Sequence, residues 1–120
     1  MHRFKELEIW KLGRILCSSI YVATQKFPQE EKFGITNQMR RAVVSIPSNI
    51  AEGASRKSNK DFARFLEIAI GSCYELETQV LIANDLGFLD KEELQRLQAE
   101  LARIIMMTSK FITTLKERDK

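Results

Sequence analysis

The chain predicts an all-α fold, an antiparallel up-down-up-down four-helix bundle with a proline-kinked second helix. Three observations carry that prediction. Only 5 glycines and 2 prolines occur in 120 residues, which leaves few turn signals and favours a few long helices. Apolar residues recur at steps of three and four through four long stretches, the spacing that lines one face of a helix. The stretches are joined by short connections, which make neighbouring helices antiparallel. Hydrophobic residues at 44% and charged residues at 29% suit one globular domain spanning residues 1–120.

The first helix is expected over residues 5 to 27. Leu12, Leu16, Ile20, Ala23 and Phe27 share a face, with Ile9, Gly13 and Ser19 beside it. Pro28 stops it, and FPQEEKFG reads as the first connection. Trp10 lies off the stripe and is expected to cap the core.

The second helix is expected over residues 36 to 55, with Ile35, Met39, Ala42, Val43, Ile46 and Ile50 facing the core. Pro47 falls in its middle, where it removes one backbone hydrogen bond and crowds the carbonyl of Val43. A kink is expected there, with a full break as the alternative. The Ser45 and Ser48 hydroxyls and the Asn49 amide are the nearest groups able to satisfy freed carbonyls. Gly53 is placed to serve the turn at the helix end.

Ser58 reads as the cap of the third helix, with Asp61 three residues on at its positive end. Phe62, Leu66, Ala69, Cys73, Leu76, Val80 and Ala83 then alternate steps of four and three without a fault. A second stripe (Ala63, Ile70, Tyr74, Leu81) lies on another side. Two apolar faces on one helix predict more apolar surface than one bundle covers, and so association with further copies. Gly87 ends this helix, and Asp90 with Glu93 forms a capping box for the fourth. The seam of the fourth is Leu94, Leu97, Leu101, Ile104, Thr108, Phe111 and Leu115.

The residues supply little reactive chemistry. One histidine, His2, stands at the amino end, where fraying is expected, so nucleophile–histidine systems lack a base on rigid scaffold. No Glu-x-x-His pair for a dimetal bundle and no glycine loop for phosphate occur. Glu52, Glu75 and Glu77 are expected to do structural work, with Glu52 or Glu75 accepting from Arg41, Asn49 or Ser72. No enzyme, metal or cofactor is indicated. Cys17 and Cys73 lack framework and zinc spacing and read as buried free thiols of a reducing compartment. The opening MHRFKELEIWKLGR lacks an apolar core segment, and no membrane-length apolar run follows, so the expected address is the cytoplasm.

Charge is distributed unevenly around a formal net of +3. From residue 35 to 64 there are six basic residues, Arg40, Arg41, Arg56, Lys57, Lys60 and Arg64, against Glu52 and Asp61. From 65 to 102 eight acids face two bases. The basic segment suits a phosphate surface, arginine pairing with phosphate through its planar fork. Arg3, Lys11 and Arg14 are secondary candidates, and Arg41 has burial against Glu52 as its alternative. The same asymmetry also suits basic and acidic faces of neighbouring subunits meeting head to tail. No aromatic residue lies between Arg40 and Lys60, so base stacking is not expected, and contacts to nucleic acid would go to backbone and shape.

The residues SIPSNIAEG at 45–53, with QMRR before them, SRKSNKDFARFLEIAIGSCYELETQ after them and EIWKLG in the first helix, closely resemble the four-helix-bundle family of 23S rRNA intervening-sequence proteins. The resemblance spans nearly the whole chain, and the run from 38 to 79 is specific to that family. It implies a bacterial bundle that assembles as a homopentameric ring, encoded within intervening sequences of large-subunit rRNA genes or as an orphan gene. A similar relative is the accessory protein of diversity-generating retroelements, whose basic surface engages nucleic acid and a reverse transcriptase. No catalytic residue comes with the resemblance. Arg41, Ser45, Asn49, Glu52, Gly53, Phe65, Ser72 and Glu75 match its motif and are expected to pack and to make polar contacts between helices. Pro47 departs from the pattern. The expected function is therefore a non-enzymatic, oligomeric protein contacting RNA or DNA phosphates, with a protein-interaction scaffold as the alternative.

Overall fold

Each helix ends where its local chemistry stops it. The structure, a computed structural model, describes residues 2–120. Helix α1 spans Glu8–Thr24, α2 Ile35–Ala54, α3 Asn59–Asp85 and α4 Lys91–Arg118. The Ser58 hydroxyl accepts from the amide of Asp61 at 3.1 Å and caps α3. Asp90 and Glu93 close the expected capping box at the start of α4. Gly87, at φ +80°, lets the Phe88 amide reach back to the Ala83 carbonyl at 2.9 Å, the Schellman closure of a helix end.

The helices form a four-sided bundle of 49 × 23 × 20 Å, in which each packs on the two beside it. Side-chain contacts fix the directions. Arg40 reaches Thr24 and Tyr21, Gly53 lies against Phe62 and Phe65, Lys116 pairs with Glu67, and Lys26 pairs with Glu93. In every adjacent pair, early residues of one helix meet late residues of the next, so neighbours run antiparallel. The α1–α2 pair makes one side of the bundle and α3–α4 the opposite side.

α1 begins later than its periodicity predicts. Phe4–Glu6 is a separate 3-10 turn and Leu7 is extended, which turns the Phe4 ring edge-on to Trp10 at 5.2 Å. The buried stripe is Ile9, Gly13, Leu16, Ile20 and Ala23, with Leu12 partly covered. The amino end is not frayed at His2, whose ring stands edge-on to Phe62 at 4.9 Å and to Phe111 at 5.7 Å.

α2 is continuous through Pro47, so the full break does not occur. The carbonyl that Pro47 leaves without a helical donor is that of Val43. Its partner comes from another helix: the Cys17 thiol of α1 donates to it at 3.4 Å. The expected local groups serve elsewhere. Asn49 donates to the carbonyl and hydroxyl of Ser45 at 2.8 and 2.9 Å, and the Ser45 and Ser72 hydroxyls share a 2.8 Å bond from α2 to α3. Gly53 is a packing residue inside α2 and not a turn residue. A Cβ there would lie 2.8 Å from Phe65 Cβ and 2.9 Å from Phe62 Cδ1, distances that real contacts do not reach.

The seam of α3 is satisfied within one subunit, since Phe62, Leu66, Ala69, Cys73, Leu76, Val80 and Ala83 are all buried. Of its second stripe, Ala63 is buried and Ile70 partly covered, while Tyr74 and Leu81 stay 55% and 41% exposed. Within that stripe, the expectation that α3 carries more apolar surface than the bundle covers holds for those two residues; outside it, Ile68 and Ile82 of α3 are exposed as well. α1 adds Ile15 and Val22, exposed at 56% and 63%.

Thr108 sits in the core at 1% exposure, and among the described residues its hydroxyl has no hydrogen-bond partner. Thr108→Val keeps the volume and removes an unsatisfied polar group. It is expected to raise unfolding free energy by about 1–2 kcal/mol, read as a higher urea midpoint at unchanged slope. Burial pushes the Cys73 thiol up to about 12, helped by Glu77, and raises Cys17 as well. Both are therefore expected to resist a thiol-specific reagent at neutral pH in the folded protein, Cys73 more strongly, and to react at once in denaturant.

Candidate nucleic-acid interface

Between Glu8 and Glu52 the only acidic residues are Glu30 and Glu31, in the connection between α1 and α2. The bundle places these two helices on one side. Across that side stand Lys11, Arg14, Arg40 and Arg41, none of them in an ion pair among the described residues, with Lys32 at its edge. The opposite side, α3 and α4, carries most of the acids of the chain. A side with a local excess of cations raises the potential there and draws in anions. Such potentials act on polyphosphates before any specific contact forms.

The six expected contact residues do not make one patch. Arg40 and Arg41 lie in the first half of α2, and Arg56 follows its last residue, so about 20 Å of helix separates the groups at 1.5 Å per residue. Arg41 is exposed and lines the groove walls near Asn37 and Ser45; it is not buried against Glu52. Arg40 is half-buried and fixed. Its Nε donates to Thr24 Oγ1 at 2.9 Å, one Nη to the Tyr21 carbonyl at 3.4 Å, and its guanidinium lies 4.5 Å over the Tyr21 ring.

The second group surrounds the α2–α3 turn. Arg56 pairs with Glu52 at 3.0 Å and Arg64 with Asp61 at 4.0 Å, and the two guanidiniums lie 4.7 and 5.1 Å over the ring of Phe65. Lys57 and Lys60 are exposed without an ion pair among the described residues. Glu52 thus accepts from Arg56, not from Arg41, Asn49 or Ser72, and Glu75 is exposed with no bond to any of them. Of the secondary candidates, Arg3 pairs with Glu6, Arg14 lies 5.5 Å over the Trp10 ring, and Lys11 is exposed.

A continuous four-helix chain with a Ser45–Ser72 bond and a Gly53 contact beneath Phe62 and Phe65 is what the motif residues build. The model of the family described as "23S rRNA-intervening sequence protein" matches residues 5–110. The chain belongs to that family. No protein of curated function matches it. A crystal structure of a protein of unknown function from the S23 ribosomal protein family of Bacteroides thetaiotaomicron is similar in fold. It superposes with a TM-score of 0.79 at 19% identity, over 87% of this chain and 97% of that one.

In this member of the intervening-sequence family, no ring lies between Arg40 and Lys60 along the chain, but the fold brings rings from other segments beside the arginines. Tyr21 comes from α1 and Phe33 from the connection, and both line the groove with Arg40 and Arg41. Phe65 comes from α3 to meet Arg56 and Arg64. The signal that sequence reasoning missed was the absence of acids from residue 9 to 29 and from 32 to 51.

Proposed function

We propose that this family member is a non-enzymatic, homo-oligomeric protein that binds the phosphate backbone of RNA or DNA through its α1–α2 side. The observation that carries the reading is that α1 and α2 hold acids only near their ends, Glu8 and Glu52, while Lys11, Arg14, Arg40 and Arg41 stand outside any ion pair among the described residues. Arg56, Lys57, Lys60 and Arg64 extend the surface at the elbow, at reduced strength because Glu52 and Asp61 already neutralise two of them. Assembly into a ring, a pentamer by family resemblance, is supported by exposed Ile15, Val22, Tyr74 and Leu81. The single His2, whose ring stands edge-on to two phenylalanines, supports a role without catalysis.

Salt tests the reading. Affinity for an RNA oligonucleotide is expected to fall steeply between low and physiological salt, with a logarithmic slope of about 0.7–0.9 per phosphate contacted. Binding that ignores salt sinks it. A second reading draws on the acid-rich stretch from 65 to 102: the basic side of one copy meets that stretch of the next, in a head-to-tail ring that scaffolds protein partners. It predicts no RNA binding and an oligomer that dissociates as salt rises, both visible by light scattering.

A further inference from the structure

We infer that the groove between the end of α1 and the start of α2 holds an unpaired nucleotide, its base against Phe33 and its phosphate on Arg40 and Arg41. The inference rests on the nucleic-acid reading above and deepens it from backbone binding to preference for single strands. The groove measures about 600 Å³, within the range of sites that enclose small-molecule-sized groups. Phe33 is 86% exposed, an unusual state for a phenyl ring, because water gains nothing from it. Its place in a connection beside α2 gives it no core to fill. Lys32 lies 5.6 Å over this ring, so a cation and a flat apolar face are offered together.

Opposite stands a prepared arginine. The Thr24 hydroxyl donates to the Ile20 carbonyl at 2.8 Å and accepts from Arg40 Nε, while Tyr21 supports the guanidinium from below. Arg40 therefore loses little rotamer freedom on binding, and its remaining N–H groups are fixed for a phosphate. Glu30 and Glu31 do not line the groove, so no carboxylate competes within its walls. A duplex cannot use Phe33, because its bases are stacked on one another. A single strand can lay a base on the ring and keep its phosphates on the cations, the arrangement that binds unpaired strands with little regard to sequence. A second copy of the chain would cover the ring equally well, but would have to bring acid to three cations here.

The test is a short adenylate oligonucleotide carrying 2-aminopurine, titrated by anisotropy and by base fluorescence at several salt concentrations. The wild-type protein is expected to bind it more tightly than a duplex of equal length and to change the fluorescence of the base. Phe33→Ala is expected to weaken the single strand about tenfold, to abolish the fluorescence change and to leave the salt slope unaltered. Phe33→Trp is expected to restore affinity, which a merely structural loss would not allow. Salt-dependent binding that Phe33→Ala does not weaken overturns the stacking site and leaves the backbone reading standing. Absence of any binding by the wild type removes both. A fall in oligomer mass on Phe33→Ala, with affinity per subunit unchanged, assigns the groove to contact between copies and overturns the inference.

Discussion

Phe62→Ala is expected to lower unfolding free energy by about 3–5 kcal/mol, the usual loss when a fully buried ring is truncated. Phe62 is 1% exposed and meets three partners at once: the Phe111 ring at 5.4 Å, the His2 ring, and the backbone of α2 at Gly53. Removing it therefore opens a void where three segments meet. The converse change acts on the same contact. Gly53→Ala gains about 1 kcal/mol of helix propensity, yet its methyl would stand within 3 Å of both Phe62 and Phe65. Overpacking of that kind costs about 1–3 kcal/mol, and one neighbour is the Phe65 Cβ, which moves only with its backbone. The expected result is a net loss for Gly53→Ala and a smaller combined loss for Gly53→Ala with Phe62→Leu than the two changes predict separately. Urea unfolding at one fixed protein concentration measures it, since association would otherwise shift the midpoint. A Gly53→Ala protein more stable than its parent would show that α2 and α3 are not in this contact.

Charge reversal gives the second large effect. Lys11→Glu, Arg14→Glu and Arg41→Glu together are expected to weaken RNA binding on the order of a hundredfold or more at physiological salt, with the salt slope reduced by about 2–3. The same reversal at Arg56, Lys57 and Lys60 is expected to do less. Arg56 stands 3.0 Å from the Glu52 carboxylate, which already offsets part of the positive potential at the elbow. Equal losses from the two sets would return the elbow to the centre of the interface. Loss of the oligomer from the first set, at unchanged affinity per subunit, would assign the α1–α2 side to a subunit seam. Arg40 is left out because its bonds to Thr24 and Tyr21 join α1 to α2, so its removal would disturb the bundle as well as the surface.

The sequence by itself determined the start of α3 and both the end of α3 and the start of α4, which are set by neighbours along the chain. Ser58 with Asp61, Asp90 with Glu93, and Gly87 with Ala83 are separated by three or four residues, and their geometry is closed once a helix exists. The buried stripe of α3 was legible for the same reason, because spacing alone decides which residues share a face. Only the tertiary structure decided that Cys17 satisfies the Val43 carbonyl, that Gly53 admits Phe62 and Phe65, and that Tyr21 and Phe33 flank Arg40 and Arg41. Each of these joins separate segments, and depends on how far one helix is turned about its axis against the next. A one-dimensional pattern tells which side of a helix is apolar, but packing chooses the rotation that brings a given ring to a given arginine.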